Sequence, residues 1–202
     1  MNSDGGIAIP WLHDFFYSAI PSNKDELLDG IENGELDDDQ GFDWNSKEKE
    51  CSAIQLERLK RKDNMKLFIP SINNYLEQLQ ITDKILDVQL NGLWRNTYHK
   101  HGFQEIHDHG LHHISGVLFL TDEQPGDSQF YFFNRQYSEV PNVWRQLKKG
   151  DNIVFGGRYW IKAQRGRIVL FPSYLMHGVT AHKSDHRRRT ASFNLDINLN
   201  SL

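Results

Sequence analysis

From residue 87 onward, glycine and proline punctuate the chain at Gly102, Pro125-Gly126, Gly150, Gly156-Gly157 and Gly166, and short runs rich in β-branched and aromatic residues lie between them. Glycine supplies backbone angles that other residues avoid, and proline removes a ladder donor, so each mark ends a strand. The runs predict strands over 88–98, 103–107, 112–120, 129–134, 152–155, 158–162, 166–171, 175–181 and 188–197. Many short strands with turns every eight to twelve residues or so indicate two packed antiparallel sheets.

The first 86 residues carry a different period. Ile7 to Tyr17 predicts an early strand with a turn near Pro10. Ser22-Asn-Lys-Asp25 is a capping-type helix start before Leu27, Leu28 and Ile31, and Gly34 can stop that helix. Residues 64–80 place Leu67, Ile72, Tyr75, Leu76 and Leu79 near helical spacing, with a start or a kink at Pro70. Cys51 to Lys62 fits either a helix or an extended loop, and the acidic stretch around Asp37, Asp38 and Asp39 fits a solvated loop. The expected architecture is therefore mainly β: a double-stranded β-helix (jelly-roll) core over 87–197 with N-terminal supporting α-helices in 1–86, all in one domain.

Within the β-rich half, His107 and His109 flank Asp108. Side chains two apart on a strand point the same way, so both imidazoles can reach one ion while Asp108 points away. His177, after Gly166-x5-Pro172-x4-His177, can close the triangle from a distant strand. Neutral imidazoles suit Fe(II) and its neighbours, and three ligands on one face leave positions open for substrate and oxygen. Further on, Arg188 can fork onto a carboxylate, and the Thr190 hydroxyl shares its face. Each part also has an ordinary reading: chance spacing among ten histidines, a solvated basic edge at 187–189, or core packing for Val117 and Phe119.

The ordered set resembles the Fe(II)- and 2-oxoglutarate-dependent oxygenases, and most closely a small phage and bacterial group. The residues that carry the resemblance are Trp94-Arg-Asn96, His107-Asp-His109, Ser115-Gly116-Val117-Leu-Phe119, Gly166-Arg-Ile-Val-Leu-Phe-Pro172-Ser173-Tyr-Leu-Met-His177 and the final stretch from Arg188 to Leu195. The resemblance covers roughly the C-terminal half. It implies a catalytic metal site of His107, His109 and His177, with His109 standing where the wider superfamily carries Asp or Glu. It also implies a 2-oxoglutarate pocket of Arg188, Thr190, Tyr98, Asn96, Ser115, Val117 and Phe119, with Asn194 behind it. Glu105, on the ligand side by alternation, could orient His107.

The implied cofactors are Fe(II), 2-oxoglutarate as co-substrate and O2, and the implied reaction is hydroxylation of an unactivated C–H bond. Polar loops at 99–113 and 134–150, with Trp144, Tyr159 and Trp160 expected near the mouth, favour a protein or peptide side chain as substrate, prolyl hydroxylation first. Two other classes fit part of the pattern. A cupin-type three-His dioxygenase fits the Gly-to-His spacing but not the missing Glu after the first histidines, and a non-catalytic jelly-roll binding module would leave the six histidines between 99 and 113 incidental.

Composition fits a globular enzyme of 202 residues, 38% hydrophobic and 12% aromatic, long enough to bury a core without staples. A net charge of −4 argues against a generic nucleic-acid binder. The lone Cys51, the absence of a signal-type N-terminus and of any apolar run near 18 residues point to a reducing, cytoplasmic setting without a membrane. Oligomeric state is left open.

Overall fold

The computed structural model describes residues 5–11, 14–38, 53–61, 64–81, 86–136 and 157–199. Among the described residues eleven strands and two helices follow in the order β1 (Gly6–Trp11), β2 (Asp14–Ala19), α1 (Lys24–Glu32), β3 (Ile54–Arg58), α2 (Met65–Gln78), β4 (Leu86–Tyr98), β5 (Gln104–His107), β6 (Ile114–Phe119), β7 (Phe130–Phe133), β8 (Arg158–Ile161), β9 (Ile168–Pro172), β10 (His177–Val179) and β11 (Arg188–Leu199). A seven-stranded sheet runs β1-β2-β9-β6-β11-β4-β3, and a four-stranded sheet runs β5-β10-β7-β8. Every pairing is antiparallel. The expected strand over 152–155 lies outside the described residues.

Alternation along the large sheet sorts its side chains into two cores. One face carries Leu93, Leu118, Leu170, Ala191, Phe193 and Leu195 against α1 and α2, which contribute Leu27, Leu28, Ile31, Phe68, Ile72 and Tyr75. At this junction Phe193 on β11 meets Phe68 of α2, with ring centroids 4.2 Å apart. Gly116 on β6 makes room for it: an added Cβ would stand 2.1 Å from the Phe193 ring. The other face looks into the gap between the sheets, where Tyr98, Val117, Phe119, Val169 and Phe171 meet Phe130, Phe132, Ile161 and Val179 of the small sheet.

Three expectations about the N-terminal part change. The early strand is a hairpin of two, β1 and β2, and Cys51 to Lys62 resolves into β3 over its described residues. These strands form both edges of the large sheet, so the segment before residue 86 completes the β core as well as covering it with helices. Helix α2 begins five residues before Pro70 and carries that proline in its interior, while α1 is capped by Asn23, whose amide donates to the Leu67 carbonyl (3.0 Å) and ties the two helices together. No helix among the described residues is long and apolar enough to cross a membrane.

Candidate active site

Opposed residues of an antiparallel ladder share a face. The registers therefore draw rows across the inner face of the large sheet: Ile54, Tyr98, Arg188; then Leu56, Asn96, Thr190, Phe119; then Arg58, Trp94, Ser192, Val117; then Gly92, Asn194, Ser115, Phe171. All seven residues expected to form the co-substrate pocket lie on this face. The small sheet lays its histidines over it. His177 and His107 are direct partners in the β10–β5 ladder, with ring centroids 4.4 Å apart. His109 lies just past β5, its main-chain N–H donating to the Ser173 carbonyl at 2.8 Å, and its ring is 5.1 and 5.2 Å from the other two. The candidate ligand nitrogens all lie within 4.8 Å of one another.

Main-chain carbonyls orient two of the three rings. The Glu105 carbonyl lies 2.7 Å from His107 Nδ1, and the Leu175 carbonyl lies 2.9 Å from His177 Nδ1. A carbonyl can only accept, so each Nδ1 carries the proton and each Nε2 keeps its lone pair. Burial and mutual repulsion then keep the rings neutral. Desolvation holds His177 well below its ordinary pKa and lowers His107, while desolvation followed by the fields of His107 and His112 brings His109 to about 4. His177 is boxed by Phe171 and Phe130 at 4.8 and 5.6 Å. Three neutral imidazoles, two of them with rings fixed by main-chain carbonyls, form a donor set that could hold one divalent ion.

A bulge corrects the reading of Glu105. In the β10–β5 ladder His177 faces His107 and Val179 faces Gln104, so β5 carries one extra residue and its parity shifts. Gln104 turns inward to accept the Tyr98 hydroxyl at 2.6 Å, while the Glu105 side chain is exposed and only its main-chain oxygen orients His107. Asp108 points away, as alternation predicts, and its carboxylate accepts from Arg135 (2.9 Å).

Arg188 is the most unusual group in the cavity. It is 1% exposed, and its three guanidinium nitrogens have no hydrogen-bond partner among the described residues. It lies over the Tyr98 ring at 4.7 Å and near Phe119 at 5.6 Å. Burial pushes its pKa down, and the Tyr98 hydroxyl opposes that shift. A buried unpaired cation costs several kcal/mol, and stacking on aromatic faces offsets about 2 of them. An anion at this position would complete the site.

Arg188, Thr190, Tyr98, Ser115 and Val117 line one cavity with His107, His109 and His177. Asn96 and Phe119 stand behind its wall: the Asn96 amide donates toward Thr190 and Ser192 (3.5 and 3.2 Å), and Phe119 is fully buried. Ser115 donates to Asn194 at 2.9 Å and meets Ser173 at 2.8 Å, joining the floor of the cavity to the strand end that holds His109. The enclosed space is about 20 Å³, room for a water, so seating a five-carbon dicarboxylate requires lining side chains to turn.

Past the histidines the cavity opens into a pocket of about 310 Å³ formed in part by Leu56, Arg58, Gly92, Trp94 and His112. Leu56 and Arg58 come from β3, which the sequence left undecided between helix and loop, so their membership could not be read. The expected mouth residues are elsewhere. Tyr159 packs against Phe16 in the inter-sheet core, Trp160 stacks on Tyr131 on the outer face of the small sheet, and Trp144 lies outside the described residues.

Comparison with known proteins agrees with this arrangement. Residues 92–194, just over half of the chain, match a family model described as "Putative 2OG-Fe(II) oxygenase". No curated protein sequence matches significantly. Among solved structures, an oxidoreductase of the 2OG-Fe(II) oxygenase family from Burkholderia pseudomallei aligns with a TM-score of 0.56 at 8% identity, over 90% of this chain and 84% of that one. HygX from Streptomyces hygroscopicus, with nickel and 2-oxoglutarate bound, aligns with a TM-score of 0.53 at 14% identity, over 90% and 82%. SnoN, an alpha-ketoglutarate-dependent epimerase of nogalamycin biosynthesis, aligns with a TM-score of 0.56 at 10% identity, over 94% and 80%. These likenesses carry the fold, and the family match over the segment that holds the histidines and Arg188 carries the conclusion that the chain belongs to the 2OG-Fe(II) oxygenases.

Proposed function

We propose that this chain is an Fe(II)- and 2-oxoglutarate-dependent hydroxylase in which His107, His109 and His177 hold the iron and Arg188 with Thr190 grips the far carboxylate of 2-oxoglutarate. The single observation that carries the reading is the unpartnered, buried Arg188 in the same cavity as the three lone-pair-bearing imidazoles. Iron, 2-oxoglutarate and dioxygen together supply the oxidant, and 2-oxoglutarate leaves as succinate and carbon dioxide. The protein's part is placement. Glu105 and Leu175 carbonyls fix the ligand rings, Tyr98 and Phe119 hold the guanidinium flat, and Phe130, Phe171 and Val179 keep water from the ligand side.

The target is a C–H bond of a side chain presented to the pocket by a peptide or protein, proline being the first candidate. A pocket of about 310 Å³ beside the histidines has the size of a side chain rather than of a whole folded partner. The lone Cys51 and the need to keep iron reduced support a reducing compartment such as the cytoplasm. Anaerobic Fe(II) plus 2-oxoglutarate should give a weak visible charge-transfer band, and admission of oxygen with candidate peptides should release succinate. A three-His dioxygenase of cupin type would turn over without 2-oxoglutarate, and a binding module would show neither signal. Either result sinks the proposal.

A further inference from the structure

The pocket in front of the histidines carries permanent charge of one sign. Arg58, on β3, lies directly across the ladder from Trp94 and two residues from Leu56. Its guanidinium is half-buried and takes part in no ion pair or hydrogen bond among the described residues, whereas Arg95, Arg135, Arg165 and Arg189 each meet a carboxylate. Neighbouring Glu57 alternates to the other face of β3 and pairs with Arg95 at 3.0 Å. Behind the pocket Asp196 is engaged by Asn91 and by His112 Nδ1, the latter at 3.1 Å. Among the described residues, no carboxylate lines the pocket. Besides Gln104, His112 and Asn194, its lining includes the apolar Leu56 and the Trp94 indole, with Gly92 beneath the indole, where an added Cβ would come within 3.1 Å of the ring.

We infer that Arg58 is a specificity-determining residue that receives a carboxylate of the substrate, while an apolar part of the same substrate lies on Trp94 and Leu56 beside His107 and His109. The inference rests on the hydroxylase reading above and names its substrate class. One free guanidinium matches one carboxylate through a two-pronged contact, and a neutral twin of the same shape leaves the cation unpaired. The inner face of the large sheet thus holds two unpartnered arginines in different rows: Arg188, enclosed, for the co-substrate, and Arg58, at the mouth, for the substrate. In the peptide setting the carboxylate is an Asp or Glu side chain next to the target residue, or the end of the chain.

The test uses the whole protein loaded with Zn(II) and saturating 2-oxoglutarate, so that Arg188 is already occupied. Ligand-observed NMR titrations compare acetyl-Pro-Asp-amide with acetyl-Pro-Asn-amide, and acetyl-Pro-Ala acid with its amide, the two pairs separating a side-chain source from a chain-end source. At least one acid should bind about tenfold or more tightly than its neutral twin. Arg58→Gln should erase that preference while 2-oxoglutarate affinity, which reports an intact fold, stays within about twofold; Arg58→Lys should retain part of it. Equal binding of acid and neutral twins, no binding of either, or a preference that survives Arg58→Gln overturns the inference. Failure of 2-oxoglutarate itself to bind would instead strike the hydroxylase reading, and the acid-versus-neutral comparison would still be read on the Zn(II) protein.

Discussion

At the residue scale, the chain places an enclosed cation where folding alone gives it no partner. Removing that charge should therefore help the empty protein and harm the loaded one. Arg188→Met, which keeps the bulk beside Tyr98 and Phe119, is expected to raise the melting temperature of the ligand-free protein and to abolish the further rise that 2-oxoglutarate gives the parent. Arg188→Ala should cost an order of magnitude or more in 2-oxoglutarate affinity, with little loss of metal affinity in calorimetry. Arg189, which faces Glu32 at 3.8 Å, should matter much less, and a larger effect there than at Arg188 would refute the assignment.

The histidines make two further predictions. At position 109, Asp offers the oxygen ligand common in the wider superfamily, so His109→Asp should keep metal and some succinate release, whereas His177→Ala should lose both. Full activity in His109→Ala would mean position 109 is no ligand. Protonation gives the second. All three imidazoles have folded pKa values below 6.5, so below that pH the unfolded chain binds protons that the native state refuses. Stability of the metal-free protein should therefore fall as pH drops from 6.5 toward about 4, with a slope set by up to three protons. Urea midpoints at intervals from pH 7 to 5 check this. His109→Gln should flatten the curve by roughly one proton, and an unchanged curve would contradict it.

At the element scale the decisive contacts join α2 to the sheet. Phe193 reaches Phe68 only because position 116 has no side chain. Gly116→Ala is expected to destabilise by about 1–3 kcal/mol through overpacking, and Phe68→Ala by about 3–5 kcal/mol through the void it leaves. Chemical denaturation reads both. Because the Phe193–Phe68 junction lies on the face of the sheet away from the histidines, metal affinity of the folded fraction should stay near the parent's. A drop in metal affinity that matches the loss of stability would show that the two faces of the sheet are coupled.

At the scale of the whole molecule, the N-terminal strands are structural partners of the catalytic half. β2 covers β9 over Ile168 to Leu170, all fully buried, and β3 closes the other edge against β4. Deleting residues 1–20 should uncover the β9 edge and give a soluble fraction that binds hydrophobic dye or a chain that aggregates, rather than an intact core lacking a helper segment. A truncated chain with the parent's melting temperature would show that the hairpin is dispensable.

Much of the site was legible in the sequence because it depends on local alternation within strands whose ends are marked. His107 with His109, the run from Gly166 to His177, and the inward set Arg188, Thr190, Ser192, Asn194 all keep one parity from end to end, so residue spacing alone predicts which face they share. Parity breaks where a strand takes an extra residue to fit a partner far away in the chain. The bulge in β5 turned Glu105 outward and Gln104 inward, and the bulge at Asn91 in β4 sends Leu90 and Val88 to the helix side although they share parity with Trp94. Nothing in either strand's own residues marks the slip, since it arises from pairing with β10 and β11. β3 is the extreme case: five residues with no decisive period become an edge strand because β4 offers free donors and acceptors, and that pairing carries Arg58 to the mouth of the site. The three-histidine cluster and the sheet face that carries Arg188 thus followed from sequence, through short-range backbone geometry. The wall that faces the substrate was decided by tertiary structure, because long-range strand pairing chose which residues stand opposite Trp94.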